Sequence, residues 1–501
     1  MTQLAPSVIA EAIPQIPFAW LRDRRWFSSK GRQLASLAVI DWGVLPLDAP
    51  AIVAFVHARY ADDFAETLFL PLVALPDAQI AGARTPAAVA IAQDGSTWYA
   101  HDAFQHPSFQ RLLMNRLLAA ASLPLTHGRI DFAPESALRD SPPPLQEIKL
   151  VTAEQSNTSI IYDRQAILKC FRRVVAGVNP DVEISTFLTR AGFRHTPAML
   201  GSISYARDGV EHSLGILQEF VPNRGDAWDH TLDRLNAFLR SIPATTHGDV
   251  AAETRRLARE SLDEIGALGR LTGELHLALA GDAGNPDFAP RPLTHDQIAR
   301  WQRSIRESAD EILSALAARS GDLPAEQRVA VEGLLASRDR IARRIARLES
   351  LAGADLVLTR FHGDYHLGQV LVSERGFLIL DFEGEPLRSL AERRAHGSPL
   401  KDVAGMLRSL SYAAQAALRA ATQSQAARPW IDAWEAAARE AYLAGYRHTT
   451  QGAPFVPRAD DRFNDALAVF ELEKALYELK YELNNRPDWL PIPLAGIRRT
   501  L

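Results

Sequence analysis

Phe361-His362-Gly363-Asp364-Tyr365-His366-Leu367-Gly368-Gln369 decides how the rest of this 501-residue chain is read. Beyond it, Gln369-Val370-Leu371-Val372 and Phe377-Leu378-Ile379-Leu380, joined by Ser373-Glu374-Arg375-Gly376, read as a β-hairpin that runs into Asp381-Phe382-Glu383. An antiparallel pair returns Gln369 and Asp381 to the same end of the ribbon, so both can face one metal ion. Magnesium takes oxygen ligands, which a carboxylate and an amide supply. The spacing from Asp364 to Gln369 lets the loop double back, so that Asp364 reaches past the metal towards an acceptor hydroxyl. A positioned carboxylate, an amide and a second carboxylate are what phosphoryl transfer from a metal nucleotide requires. His362, Asp364 and His366 also alternate as zinc ligands could, but the nearby hard oxygen donors and the lack of a further His or Cys in the segment argue against zinc. His362 is expected to hydrogen-bond the loop, and His366 to line an acceptor pocket.

Working outward, Ser159-Ile160-Ile161-Tyr162 and Ala166-Ile167-Leu168-Lys169-Cys170-Phe171 predict a second hairpin, turning at Asp163-Arg164-Gln165. Lys169 is the one charge within the second strand, on a face with Ile167 and Phe171. Such a position is unfavourable unless the ammonium meets an anion; an edge-strand lysine reaching solvent is the alternative. Asn179-Pro180-Asp181 opens a helix, with Asn as cap and Pro in the first turn. Glu183 on that helix could steady Lys169 while the ammonium grips phosphates. No glycine-rich phosphate loop precedes Lys169. Glu154-Gln155-Ser156-Asn157-Thr158-Ser159 stands there instead, and Gln155, Ser156, Asn157 and Thr158 offer hydroxyls, amides and backbone N–H groups to phosphate oxygens. The strand Leu214 to Val221 leads out of this unit. Gln218, Glu219 and Val221 at its end could hydrogen-bond an adenine edge, or form an ordinary linker.

Apolar content of 47%, charge of 23% and a net charge of -5 describe an ordinary globular chain without the basic surplus that nucleic acid calls for. At this length two or three packed units are expected. No run approaches the ~20 apolar residues that span a bilayer, and the opening Met1-Thr2-Gln3-Leu4 carries no basic or long apolar leader. The single cysteine, Cys170, excludes an internal disulfide framework and fits a reducing cytoplasm. Before residue 100 the runs Ala38-Val39-Ile40, Ile52 to Val56 and Thr67 to Leu70 predict strands, after the aromatic and basic Trp26-Phe27-Ser28-Ser29-Lys30-Gly31-Arg32. A helix is expected around Phe109 to Leu113, then a connector at Ser141-Pro142-Pro143-Pro144. After Pro222 the chain is mostly helical.

These blocks resemble the protein-kinase-like phosphotransferases, and within them the bacterial maltokinases. The resemblance rests on Glu154 to Ser159, Gly177 to Glu183, His362 to Leu371, Asp381-Phe382-Glu383-Gly384-Glu385-Pro386, Ser398 to Ser409, Asn485-Arg486-Pro487-Asp488-Trp489-Leu490-Pro491, and Trp26 to Arg32 as the family's N-terminal cap. It implies an α+β, bilobal protein-kinase-like fold: a cap subdomain over 1–105, a β-rich intermediate subdomain over 106–221 completing the nucleotide-binding lobe, and a helical C-terminal lobe over 222–501. The activity implied is ATP-dependent phosphorylation of maltose at its anomeric hydroxyl, giving maltose 1-phosphate for α-glucan (glycogen) synthesis. By position, Asp364 would be the catalytic base, Gln369 and Asp381 the Mg²⁺ ligands, Lys169 the phosphate-binding lysine and Glu183 its partner. Sugar contacts are expected from His366, Tyr365 and Glu385 and from the helix bearing Tyr477 and Tyr481; Asp402 is expected to brace the loop. Departures from protein kinases are Gly363 for the usual Arg, Gln369 for Asn and Glu383 for Gly, and no activation segment follows. Glucosamine kinases carry a similar loop, and an aminoglycoside-type phosphotransferase is a further alternative. A non-catalytic module bound to trehalose synthase is a different class of reading; such a partner would be a separate chain.

Overall fold

A computed structural model describes residues 4–76, 86–151, 157–243, 248–282, 284–386, 388–421 and 424–501. Contacts divide the chain into two units, Met1–Pro222 and Asn223–Leu501.

The first unit is built on two antiparallel sheets. One joins β1 (Leu34–Val44), β2 (Ala51–Tyr60), β3 (Ala65–Leu75), β4 (Val89–Gln93) and β5 (Ser96–Asp102) in the order β1-β2-β3-β5-β4. The other holds β6 (Ser122–Pro124), β7 (Gly128–Pro134), β8 (Ile148–Leu150), β9 (Asn157–Tyr162) and β10 (Ala166–Phe171). The short β11 (Arg173–Val174) pairs with β3 of the first sheet, while β12 (Met199–Arg207) and β13 (Val210–Glu219) complete the second in the order β6-β7-β12-β13-β10-β9-β8.

The strand β2 explains the layering. Its residues Ala51-Ile52-Val53-Ala54-Phe55-Val56 form an unbroken apolar run, the pattern of a strand buried on both faces. Val53 and Phe55 pack with Phe109, Leu113, Ile130, Leu168 and Leu214. Ile52, Ala54 and Val56 pack with Ile9, Ile13, Trp20 and Leu21. The helix Pro107–Leu118 thus fills the space between the sheets, and the N-terminal helices cover the outer face. β1 runs well past the expected Ala38 to Ile40 because its polar member is satisfied: Asp41 accepts from Tyr205 Oη at 2.8 Å and from the His127 backbone at 2.9 Å. Trp26, from the aromatic and basic segment, lies over the buried guanidinium of Arg172, which pairs with Asp102 at 2.9 Å. Cys170 is buried.

The second unit is helical around a small sheet of β14 (Asn223–Asp226), β17 (Val370–Ser373) and β18 (Gly376–Ile379), with a separate pair, β15 (Arg291–Pro292) and β16 (Val357–Leu358). The segment from His295 to Leu351 comprises a helix over His295–Arg319, a 3₁₀ turn at Ser320–Asp322, and further helices over Ala325–Leu335 and Arg338–Ala346. Long helices over Leu400–Ala420, Ser424–Thr449 and Asp460–Asn485 complete it. No helix among the described residues is long and apolar enough to cross a membrane.

Candidate active site

Between β16 and β17 the loop Phe361 to Gln369 has its backbone held from behind. Asp402, in the first turn of the helix Leu400–Ala420, accepts from the N–H of His362 at 2.7 Å and of Gly363 at 2.9 Å. It also lies 3.1 Å from His276 Nε2. Ser409 Oγ accepts from Leu367 N–H at 3.1 Å. A Cβ at Gly405, on the same helix, would stand 2.6 Å from the Tyr365 carbonyl oxygen, so only glycine permits this approach. Gly363 has φ +87°, a turn that favours glycine. The loop carrying Asp364 is therefore fixed by a rigid helix.

His362 Nε2 lies 2.8 Å from the Leu380 carbonyl, a bond across the loop rather than to a metal. His366 accepts from Gly368 N–H through Nδ1 at 3.1 Å, closing the short 3₁₀ turn Leu367–Gln369. Gln369 consequently sits in that turn instead of opening the strand; the ribbon begins at Val370, opposite Ile379. The hairpin still brings its ends together, with Gln369 Nε2 3.4 Å from Asp381 Oδ2. Asp381 has φ +62°, a left-handed conformation rare for a residue with a side chain, and such strain concentrates at functional positions. An amide and a carboxylate of this hardness fit magnesium.

Asp364 opens onto a cavity of about 340 Å³ within the second unit. Its walls include the aromatic faces of Trp301, Phe361, Phe470 and Tyr477. Lys474, on the helix Asp460–Asn485, bridges two acids: its Nζ donates to Asp364 Oδ1 at 3.0 Å and to Glu385 Oε1 at 2.9 Å. Burial raises the Asp364 carboxyl, but the Lys474 ammonium and then the His366 ring more than reverse this, leaving it below the usual aspartate range. Burial likewise lowers the Lys474 ammonium, and Asp364 and Glu385 overcome it to hold that group well above its usual value.

Of the expected sugar contacts, Tyr365, Glu385 and Tyr477 line the cavity and His366 does not. The Tyr365 hydroxyl points away, accepting from buried Thr272 at 3.3 Å. Tyr481 is 45% exposed, lies outside the cavity, and packs under Arg486. Trp301 and Phe470 are not singled out from sequence, and Lys474 only as part of the charged and aromatic helix that runs to Tyr477 and Tyr481. Each stands in a helix where an aromatic or a lysine reads as core or surface, and only the fold brings it to the cavity.

In the first unit, Lys169 of β10 meets its anion: Nζ lies 3.2 Å from Asp181 Oδ2. Asp181 is buried in the first turn of the helix Pro180–Arg190, which Asn179 caps by accepting from Asp181 N–H at 2.9 Å. Asp181 is thus a lysine partner that sequence reasoning passed over, and Glu183 stands half-buried two residues further on. Asn157 and Thr158 open β9, and Thr158 Oγ1 lies 3.5 Å from Arg172 Nη1. Gln155 and Ser156 lie outside the described residues. Gln218 pairs with Ile167 in the sheet and donates to Ser185 Oγ at 3.2 Å; Glu219 ends β13, and Val221 is buried beyond it.

Residues 229–455 match the family model of the phosphotransferase enzyme family, and residues 20–105 match the maltokinase N-terminal cap domain. The chain thus carries a phosphotransferase-family segment, preceded in sequence by a maltokinase-type cap segment. Curated relatives include a glucosamine kinase from Streptacidiphilus jiangxiensis, 28% identical over 68% of this chain and 71% of that protein. Another, from Mycolicibacterium smegmatis, is 27% identical over 69% of this chain and 78% of its own. Among solved structures, a glucosamine kinase in complex with glucosamine, ADP and inorganic phosphate superimposes with a TM-score of 0.66, at 22% identity over all of both chains. A second crystal form of a glucosamine kinase gives 0.67, with 98% of each chain covered. At this identity the structural likeness establishes the fold: mixed helix and sheet, kinase-like, with an N-terminal cap and a helical C-terminal region.

Proposed function

We propose that the protein transfers the γ-phosphoryl group of ATP to the anomeric hydroxyl of maltose, giving maltose 1-phosphate for α-glucan (glycogen) synthesis. The observation that carries this reading is Asp364, presented by a braced loop into an aromatic-walled cavity with Oδ1 held by Lys474. A volume of about 340 Å³ is within the range of small-molecule sites, and aromatic faces pack against the C–H surfaces of sugars. The maltokinase-type cap favours maltose among the possible sugars.

Asp364 accepts a hydrogen bond from the acceptor hydroxyl and takes its proton as the bond to phosphorus forms; the depressed carboxyl keeps it ionised for that task at neutral pH. Gln369 and Asp381 would hold Mg²⁺, which neutralises phosphate charge when bound. Lys169, steadied by Asp181 and by Glu183, would bind nucleotide phosphates, as would Gln155, Ser156, Asn157 and Thr158. Gln218 and Glu219 at the end of β13, and Val221 beyond it, would meet the adenine.

The second reading is a glucosamine kinase, favoured by the names of the relatives. Supplying the purified chain with Mg²⁺-ATP and either maltose, glucosamine, glucose or an aminoglycoside separates them. Maltose-dependent ADP release, with loss of the sugar's reducing-end reactivity, is expected, because phosphorylation at the anomeric oxygen blocks ring opening. ADP release with glucosamine alone would replace the maltose reading.

A further inference from the structure

The charges of the cavity wall form one continuous line. Lys401 Nζ lies 2.7 Å from Glu473 Oε2, and Arg388 Nη2 lies 3.6 Å from Glu473 Oε1. Arg388 Nε lies 2.7 Å from Glu385 Oε2. Lys474 then joins Glu385 to Asp364 at 2.9 and 3.0 Å. Three cations alternate with three anions, and the line ends on the proposed base. The other charged lining residues also cancel, Arg300 and Arg393 against Glu392 and Asp402. Asp402 is taken up by the loop N–H groups and Glu392 by the cap of Ser389. His396, at the same wall, adds no charge at neutral pH, since burial and then Arg291 and Arg360 push its ring down to about 4.

We infer that Lys474 is a positioning residue that sets acceptor specificity by charge: it makes the wall electroneutral, so the site takes uncharged sugars and rejects amino sugars. The inference rests on reading this cavity as a sugar acceptor site. An ammonium brought into a partly dry site must exchange its hydration for a carboxylate. Each carboxylate along the line is already shared with a built-in cation, so the incoming ammonium would sit against Lys474 or Arg388, and like charges so placed repel. Hydroxyl groups meet no such barrier; they can donate to the lone pairs that Asp364 and Glu385 keep, while the sugar ring packs on the less buried aromatic lining residues, Phe361 and Tyr477. Lys474 thereby combines two tasks, holding Asp364 and excluding a competing cation.

The test is kcat and KM of the full chain for maltose and glucosamine, in the wild type, Lys474→Met and Lys474→Arg. The wild type should favour maltose in kcat/KM by on the order of 10²-fold, as expected for a like-charge clash. Lys474→Met leaves Asp364 and Glu385 without their shared cation. It should lower turnover of maltose, lower KM for glucosamine and narrow the preference by roughly 10-fold or more, and Lys474→Arg should keep the preference. A wild type that phosphorylates both sugars equally well, or prefers glucosamine, would overturn the charge rule while leaving a sugar kinase. A Lys474→Met variant that loses both activities in equal proportion would make Lys474 merely structural and would overturn it too. If neither sugar is phosphorylated by the wild type, the sugar-kinase reading fails first and this inference falls with it.

Discussion

Asp364 is a half-buried acid kept ionised by a neighbour. Burial opposes its charge, and Lys474, His366 and His362 together outweigh burial. The sign for stability follows: a carboxyl whose value is lower in the folded than in the unfolded chain contributes stability above the unfolded value, about 3.9, and loses it as pH falls through the folded one. The same depression keeps the proposed base ionised well below neutral pH. Replacing Lys474 by Met removes the main counter-charge and leaves burial, Glu385 and the two histidine rings in place. The acid limb of kcat/KM should therefore move to higher pH, read from a pH–rate profile of the two proteins. An unmoved limb would assign it to another group. Asp364, Gln369 and Asp381 are legible in the sequence because short-range spacing and one hairpin gather them. The pairing of Lys474 with Asp364 is not, because 110 residues separate the two and Glu471-Leu472-Glu473-Lys474 by itself reads as a mixture of core and surface.

Elements turn these residues into a site. Asp402, Gly405 and Ser409 lie three and four residues apart along one helix, so these contacts to the loop come from one face. Gly405→Ala would push a methyl group against the Tyr365 carbonyl and should destabilise the fold by about 1–3 kcal/mol, as overpacking does, with a loss in kcat larger than any change in KM. Unchanged melting and unchanged kcat would show that the loop does not depend on this contact. The hairpin carries the second prediction of this scale: Asp381→Asn should raise the Mg²⁺ concentration needed for half-maximal rate, measured by titrating the metal at fixed ATP. An unaltered Mg²⁺ curve would remove Asp381 from the metal site. Sequence placed the hairpin and the Asn179-capped helix well, since turn and cap residues act locally. It shortened β1 and misjudged Gln369, because Asp41 is satisfied by residues far along the chain and because the His366 ring tightens the turn before the strand.

At the scale of the molecule, the chain divides after Pro222, and the cap match over 20–105 and the phosphotransferase match over 229–455 fall on either side of that point. The kinase-like fold was legible because a few motifs are diagnostic of it. The make-up of the cavity was not, since it draws its wall from the helix His295–Arg319, the segment around Glu385 and Arg388, Lys401, and the helix Asp460–Asn485. No single stretch of sequence carries that combination. All of it depends on Asp364 acting as the base for a sugar hydroxyl. Turnover of maltose with Mg²⁺-ATP by Asp364→Asn, set beside nucleotide binding by the same protein, tests this directly. Nucleotide binding should persist while kcat falls by on the order of 10²–10⁴-fold, as for loss of a positioned base; near-normal turnover in that variant would contradict it.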